Sequence, residues 1–317
     1  MPTLAQLPYA LTAGVAIALG ASFGSFLNVV IYRLPRGQSV VHPGSACPRC
    51  GKSIRGYDNI PLLSWLLLRG KSRCCASPIP ARYPLVEALG GLLAWAILEA
   101  LVLIQPPETV WWKALLIFSL YLTLGLGLLA AAFIDLDHMY LPDGITLGGA
   151  LLGLLSIPVR EISLLESALG GTLGFLIVWL PFVVIYQRLR GHAGMGLGDA
   201  KLLLLGGAWF GWQGAVFSLL AGAVQGTLIT LVVFVARGKI EEPEAVRLER
   251  EALEAEILAA EGEEKARLAR ELAEDPIGEE PGEGLGAARV PFGPFLILAM
   301  LEYMLFGPQL AELLAGL

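Results

Sequence analysis

The chain has 317 residues, of which 56% are apolar and 16% charged, and its mean hydropathy is +0.67. A soluble globular domain is typically about 45–50% apolar and about 25% charged, so this composition excludes an ordinary soluble enzyme, a disordered chain and a disulfide-rich secreted domain. The formal net charge of −6 excludes binding of nucleic acid by bulk charge. The class that remains is an all-α polytopic membrane protein, because lipid cannot satisfy open backbone groups.

Eight apolar segments are predicted to cross the bilayer, although the fourth and sixth fall short of the roughly 20 residues that a spanning helix needs. They are 10–32, 84–104, 113–134, 145–159, 166–186, 200–212, 214–236 and 291–312. In the first of them, Gly20 and Gly24 have the spacing that lets membrane helices pack closely. No Lys or Arg precedes Arg33, so this segment is expected to be a retained span and not a signal peptide.

The basic residues predict the orientation of the spans. The loop 33–83 carries nine Lys and Arg residues, and its only acid is Asp58. Positively charged loops stay in the cytoplasm, so this loop is expected there and the N-terminus outside. With eight spans, the loops 135–144, 187–199 and 237–290 then also face the cytoplasm, and the C-terminus faces out.

Two of these cytoplasmic loops carry aspartates at the membrane edge, where an ionisable group is costly and typically functional. Asp135 and Asp137 lie in one loop, and Asp199 follows Gly196-x-Gly198 in another. Two adjacent carboxyl groups share one proton and can hydrolyse a peptide bond without a metal. Residues two apart on a helix diverge by about 200°, so only one of the first two acids can face Asp199, and the better shielded Asp135 is favoured. The alternative is two unrelated loop acids.

The residues around the aspartates receive simpler interpretations. The glycines at 196 and 198 are expected to leave room for an extended substrate backbone. Asp143, between Pro142 and the fourth span, is predicted to cap that helix at its N-terminus. Lys201 is predicted to extend its ammonium group to the surface, with an effect on Asp199 as the alternative.

Four cysteines lie in the basic loop. Cys47 and Cys50 form a knuckle followed by Gly51, and Cys74 and Cys75 follow later in the loop. Four thiolates in two clusters indicate a structural zinc site, and a reducing cytoplasm disfavours disulfides. Adjacent cysteines are awkward ligands for one ion, so four free thiols are the alternative.

An acidic segment precedes the last span. Between Arg237 and Val290 there are 16 acidic and 8 basic residues, whereas the rest of the chain has 12 and 14. Residues 241–274 are predicted to form a helical insertion, which Gly262 could divide into a hairpin. Its apolar stripe consists of Val246, Leu253, Ile257, Leu268 and Leu272. Residues 275–288, rich in Pro and Gly, are predicted to be a flexible return. The insertion is either a solvated extension or a docking arm for a partner protein or a second copy.

An ordered set of motifs resembles the type IV prepilin peptidases, the leader peptidases and N-methyltransferases of type IV pilus and type II secretion systems. The set runs over most of the chain. It comprises Gly24-Ser25-Phe26-Leu27-Asn28-Val29-Val30-Ile31-Tyr32-Arg33-Leu34-Pro35, the Cys47/Cys50 knuckle, Asp58-Asn59-Ile60-Pro61, Ser64-Trp65-Leu66, Leu68-Arg69-Gly70-Lys71, Arg82-Tyr83-Pro84-Leu85-Val86-Glu87, the Asp135 loop, Gly196-x-Gly198-Asp199 and Pro291-Phe292-Gly293-Pro294-Phe295.

The resemblance implies an aspartic endopeptidase of the bacterial inner membrane whose catalytic positions are Asp135 and Asp199. Its substrates would be prepilins or pseudopilins with a short basic leader, cut after a glycine at the cytoplasmic face. The new N-terminal residue would then be methylated with S-adenosylmethionine, a function that the family associates with the cysteine-bearing loop. Glu87 is either part of that methylation site or an acid at a helix end. Two features depart from the family: Ser72 stands where a cysteine is usual, with Cys74 two residues later, and the acidic insertion is long.

The expected organisation is therefore a sequence of five parts. They are a first span (1–32), a methyltransferase-associated cysteine loop (33–83), a peptidase core (84–236), an acidic helical insertion (237–290) and a last span (291–317). Two other classes compete with this interpretation. A proton- or cation-coupled transporter would need acids at the bilayer midplane, for which Glu99 and Glu302 are candidates. A zinc-bearing membrane scaffold would have no catalysis.

Overall fold

The computed structural model describes residues 8–47, 49–160, 162–190, 194–238, 243–274 and 290–315. Over these residues the fold is helical, with two isolated β-bridges and no longer strand, which confirms the all-α prediction. The α-helices are α1 (Tyr9–Arg33), α2 (Leu63–Leu67), α3 (Arg82–Ile97), α4 (Trp111–His138), α5 (Asp143–Leu155), α6 (Leu164–Val178), α7 (Tyr186–Arg190), α8 (Leu197–Arg237), α9 (Glu244–Ala259), α10 (Gly262–Glu274) and α11 (Gly293–Ala315).

Within the part of the chain that the structure describes, five helical segments are long and apolar enough to cross a membrane. They are Tyr9–Arg33, Arg82–Val102, Trp111–His138, Leu164–Arg190 and Leu197–Arg237. Two shorter apolar helices, Asp143–Leu155 and Gly293–Gly307, correspond to the predicted fourth and eighth spans. The predicted segments overlap these seven apolar helices, but only five of the seven have spanning length, so the count of eight spans stays a prediction.

The long helix α8 contains the predicted sixth and seventh spans, and it is interrupted at Gly211. This residue has φ 70° and ψ −176°, a backbone conformation that favours glycine. A Cβ atom on Gly174 of α6 would touch both the carbonyl of Leu203 and the side chain of Ala215. In a straight helix those two residues would be about 18 Å apart, so the chain reverses at Gly211 and the two halves lie side by side. The prediction placed this break slightly later, between 212 and 214.

The chain forms two compact units, each built on close helix packing. The first contains α1 to α3 and α4 up to Ala130, and the second contains α4 from Ala131, α5 to α10 and α11 as far as Gly307. In the first unit, a Cβ atom on Gly24 would lie 2.8 Å from Cα of Glu87, which confirms the predicted close packing of α1 through this glycine. In the second unit, the Ser167 hydroxyl donates a hydrogen bond to the carbonyl of Ala208 (2.6 Å), joining α6 to α8.

The acidic insertion forms two helices that contact each other, α9 and α10, as predicted. Gly262 has φ 63° and begins α10, so the hairpin turn lies immediately before it. Val246 and Leu268 of the predicted apolar stripe are buried, and Leu253, Ile257 and Leu272 are partly buried. The predicted stripe is therefore the buried side of the two helices, while the return at 275–288 lies outside the described residues.

Candidate functional site

Asp135 occupies the last turn of α4 and is 5% exposed. The backbone N–H of Gly293, at the start of α11, donates a hydrogen bond to its carboxylate. The chain leaves α4 through Met139, whose φ of 49° starts the turn towards α5. Asp137 is more exposed than Asp135, as expected for a residue two positions further along the same helix.

Asp199 lies in the first turn of α8 and is 8% exposed. Its carboxylate accepts a hydrogen bond from the backbone N–H of Gly196, which precedes the helix. The Asp135 carboxylate acts electrostatically on Asp199 through charge repulsion, so the two acidic groups are neighbours. The structure thus brings together the two aspartates that the sequence selected.

Leu141 and Gly293 connect the elements that carry the two aspartates. A Cβ atom on Gly198 would lie 3.2 Å from the Leu141 Cβ, and one on Gly293 would lie 3.3 Å from a Leu141 methyl group. The same atom on Gly293 would be only 2.6 Å from Oδ2 of Asp135. The site is therefore formed by the end of α4, the start of α8 and the start of α11, with Leu141 packed between them.

The two glycines before Asp199 have different surroundings. At Gly196 the nearest described atom to an added Cβ is Oδ2 of Asp199 itself, at 3.6 Å, which is an ordinary van der Waals distance. Gly198 instead faces Leu141 closely. Gly198 therefore serves helix packing, and room for an extended substrate backbone beside Gly196 stays a prediction.

The predicted N-cap at Asp143 is wrong. Pro142 holds the N-cap position of α5, and Asp143 is the first residue of the helix itself. Its carboxylate accepts a hydrogen bond from the Lys201 ammonium group at 2.7 Å. Asp143 can pair with this cation of α8 because the tertiary fold brings the two helices together. The local sequence does not reveal such a contact.

The four cysteines converge in the loop of the first unit. Their Sγ atoms all lie within 4.8 Å of one another. The closest pairs are Cys50 and Cys74 at 3.3 Å, and Cys47 and Cys75 at 3.6 Å. Four sulfurs around a tetrahedral zinc ion at about 2.3 Å would be about 3.8 Å apart, so the cluster fits zinc in number and spacing.

Two similar turns carry these thiols. In the first, Cys47 N–H donates to the carbonyl of Lys52, and Gly51 N–H donates to the carbonyl of Cys47. In the second, Ser72 N–H donates to the carbonyl of Ser77, and Ala76 N–H donates to that of Ser72. Ser72 therefore occupies the position that Cys47 has in the first turn, and the thiol missing there is supplied by Cys74.

The backbone of the first turn favours the thiolate of Cys47. Hydrogen bonds from the backbone of Cys50 and Arg49 lower the pKa of Cys47 to about 6. A hydrogen bond from Ser72 is the main reason that the pKa of Cys75 is also lowered. By contrast, the hydrogen bond with Cys50 raises the pKa of Cys74 to about 12. The thiolate is the form in which cysteine binds a metal.

The other acidic side chains that the sequence singled out have hydrogen-bonding partners. Glu87 of α3 accepts a hydrogen bond from the backbone N–H of Leu62 at 2.7 Å. Glu99 accepts one from the hydroxyl of Tyr9 at 2.6 Å. Glu302 of α11 accepts one from the side-chain amide of Gln225 at 2.7 Å. Each of these contacts joins two separate segments of the chain.

The chain is a helical membrane protein with two buried carboxylates where three helix ends meet. Buried acidic groups of this kind are typical of a functional site in a membrane protein. Comparison with known proteins then gives the family. The model of the bacterial peptidase A24 N-terminal domain matches residues 18–101, which include the four cysteines. The model of the type IV leader peptidase family matches residues 122–231, which include both aspartates.

Relatives of the chain carry the name prepilin leader peptidase/N-methyltransferase. The protein of Myxococcus xanthus is 36% identical over 315 residues, which cover 93% of this chain and 90% of the relative. That of Pseudomonas aeruginosa is 38% identical over 241 residues, covering 68% and 79%. That of Klebsiella pneumoniae is 39% identical over 223 residues, covering 68% and 92%. The chain belongs to the type IV leader peptidase family. No solved structure matches it, and these relatives do not favour the transporter alternative.

Sequence reasoning did not assign a role to two residues at the carboxylate site. Gly293 was noted only within the motif Pro291-Phe292-Gly293-Pro294-Phe295, and Leu141 was not singled out. The glycine between two prolines at the start of an apolar helix was a usable signal, because it marks a backbone that must approach something closely. No local pattern distinguishes Leu141 from the other leucines of the chain.

Proposed function

We propose that this protein is a membrane aspartic endopeptidase that removes the basic leader peptide of type IV prepilins or pseudopilins after a glycine. Asp135 and Asp199 are its catalytic residues, and cleavage is followed by N-methylation of the new N-terminal residue. The observation that carries this proposal is the pair of buried carboxylates in one compact unit, where Leu141 and Gly293 connect the helix ends that carry them. Membership of the leader peptidase family supports the reaction and the substrate class.

The chemistry follows from a shared proton. The ionised member of the pair takes a proton from a water molecule, whose oxygen attacks the carbonyl carbon of the scissile bond. The neutral member donates its proton to the carbonyl oxygen, which gives a tetrahedral diol. When the C–N bond breaks, the first carboxyl gives its new proton to the leaving amine, and a diol hydroxyl returns a proton to the second. Both aspartates thereby regain their starting states.

The local structure suits this exchange. The N–H groups of Gly293 and Gly196 each hold one carboxylate in a fixed orientation. Gly196 has no side chain beside the Asp199 carboxylate, which lets an extended peptide backbone approach the pair there. Burial excludes bulk water, which strengthens the electrostatic coupling between the two acids.

The membrane arrangement that fits this reaction has eight crossings. They are made by α1, α3, α4, α5, α6, the two halves of α8 and α11. The excess of basic residues in 33–83 places that loop in the cytoplasm, and the aspartates then face the same side of the bacterial inner membrane. We propose for the parts 1–32, 33–83, 84–236, 237–290 and 291–317 the same roles that the sequence predicts.

Zinc would be held by Cys47, Cys50, Cys74 and Cys75, whose sulfur spacing suits a tetrahedral ion. It would supply a cross-link between the two turns of a loop in which three of the four thiols are exposed. This role is structural, since four protein ligands leave no open position for a substrate.

S-adenosylmethionine is the methyl donor implied by the name N-methyltransferase that the relatives carry. The carboxylates nearest in sequence to the cysteines already have partners in the first unit. Asp58 pairs with Arg73 at 2.8 Å, and Glu87 accepts the N–H of Leu62. We therefore assign no residue to the methyl donor.

The acidic hairpin of α9 and α10 is proposed as a surface for secretion or pilus machinery, or for self-association. Its outward positions are rich in exposed glutamates, which favours a basic partner surface.

The direct test is incubation of the purified full-length protein in detergent with a prepilin that carries a basic leader ending in glycine. Peptidase activity yields a shortened product, whose mass and N-terminal sequence identify the cleaved bond. Addition of S-adenosylmethionine should then add the mass of one methyl group at the new N-terminus. A prepilin that stays intact, although a relative cleaves it in the same detergent, would refute the proposed peptidase activity.

A further inference from the structure

The cytoplasmic loop of the first unit presents an apolar surface that neither the carboxylate site nor the cysteine cluster uses. We propose that α2 is a membrane-surface helix that inserts its leucine face into an anionic lipid leaflet and holds the cysteine-bearing loop against the bilayer. This inference rests on the insertion of α1 and α3 in the membrane, not on the peptidase activity.

The exposed face of α2 is strongly apolar. Leu63 is 56% exposed, Leu66 62% and Leu67 80%. Residues three and four positions apart lie on the same side of a helix, so these leucines form one continuous surface. Adjacent exposed leucines of this kind mark a surface that contacts protein or membrane.

The opposite face of α2 is fixed to the loop by polar contacts. The Ser64 hydroxyl accepts a hydrogen bond from the N–H of Ile60 and donates one to the carbonyl of Tyr57. The indole N–H of Trp65 donates a hydrogen bond to the carbonyl of Ile79. The helix therefore cannot turn its leucines inward without breaking these bonds.

The depth of α2 is set by Glu87. This side chain accepts the backbone N–H of Leu62, the residue immediately before α2, at 2.7 Å. Glu87 lies five residues after the start of α3, which is about 7.5 Å along the axis of a membrane-spanning helix. The start of α2 is thereby held level with the second turn of a span, where lipid headgroups meet the acyl chains.

The basic residues around α2 indicate that lipid covers this surface. Arg69 and Lys71 follow α2 directly and are exposed. The whole loop 33–83 carries nine basic residues and one acid, Asp58, which is itself paired with Arg73. Leucines beside exposed cations are the pattern of a helix that lies in the interface of a membrane with anionic headgroups.

The test is photo-crosslinking in the full-length protein, with p-benzoylphenylalanine in place of Leu67, reconstituted in nanodiscs of mixed phosphatidylcholine and phosphatidylglycerol. Irradiation should give phospholipid adducts, which are detected as an increase in the mass of the intact protein. Phosphatidylglycerol should make up a larger fraction of these adducts than of the bilayer. The matched control carries the same group in place of Leu258 of α9, which is equally exposed at 78% but lies on a charged helix. It should give several-fold fewer lipid adducts.

A second variant tests the charge. Arg69→Gln with Lys71→Gln should remove the enrichment of phosphatidylglycerol at position 67 while lipid adducts persist. Three outcomes would overturn the proposal. One is a lipid yield at 67 no higher than at 258. Another is a dominant crosslink between two copies of the chain. The third is replacement of lipid adducts by prepilin adducts when prepilin is added.

Discussion

The carboxylate site and the cysteine cluster differ in how the chain assembles them. Asp135 lies at the end of α4 and Asp199 at the start of α8, and both helix ends meet the start of α11. Both aspartates are buried by helix packing. The cysteines come from two turns of one loop, and only Cys47 among them is buried. The first site is held by the tertiary core, whereas the second would be held by its own ligand. Changes in packing should therefore damage the first, and removal of metal should damage the second.

The largest effect is expected from the aspartates. Asp135→Asn or Asp199→Asn should each reduce prepilin cleavage by about 10²–10⁴-fold, because a single carboxylate cannot both activate water and protonate the carbonyl. Initial rates of product formation, with circular dichroism to verify folding, measure this loss. Asp137→Asn is the matched control and should retain substantial activity. An inactive Asp137→Asn beside an active Asp135→Asn would show that the wrong residue had been selected.

The next largest effect is expected at Gly293. A Cβ atom there would lie 2.6 Å from Oδ2 of Asp135, so Gly293→Ala must displace the carboxylate. Misplacement of a catalytic group by about 1 Å can cost about 10²-fold in rate, so we expect a loss of that order in kcat. The thermal unfolding temperature should change little, because the displaced atoms are the end of a side chain.

Gly148→Ala in α5 controls for the added methyl group, since nothing lies within 4 Å of a Cβ atom at that position. It should leave cleavage unchanged. Equal activities of the two variants would mean that the contact between α11 and Asp135 has no role in catalysis.

For the cysteine cluster, the expected effect is on metal content more than on cleavage. The purified protein should contain about one zinc ion per chain. Cys50→Ser and Cys74→Ser should each release it, and Ser72→Cys added to Cys74→Ser should restore it, because Ser72 occupies the position equivalent to Cys47. Elemental analysis and protease resistance of the loop measure both effects. A native protein purified without chelator that lacks zinc would disprove the metal site.

The smallest effect is expected from the acidic hairpin. Replacement of residues 241–288 by a short Gly/Ser linker should change cleavage in detergent by no more than about twofold, because distant sites act independently. The measurement is the same cleavage assay, with membrane insertion verified separately. Complete loss of cleavage in a folded and inserted deletion variant would instead make the hairpin part of the active enzyme.

Much of the fold could be predicted from local sequence. Helices in lipid must be long and apolar, so hydropathy locates them in the chain. The apolar stripe of the insertion repeats with the helical period, and it predicted the packing of Val246 and Leu268. The prediction failed at Asp143, where a charged partner from another helix replaced the local cap. Capping rules consider only neighbours in sequence, whereas Lys201 reaches Asp143 through the tertiary fold.

The sequence by itself determined the helical membrane class, because that class follows from composition. Helical geometry predicts Asp135 and not Asp137 as the partner of Asp199, and the four cysteines are predicted as one metal site. The tertiary structure decided that Gly293 supports Asp135, that Leu141 fills the space between the helix ends and that Ser72 matches Cys47 in its turn. These relations depend on distances between segments that are remote in sequence. Such distances are fixed by the packing of whole helices and turns, so no local pattern of residues encodes them.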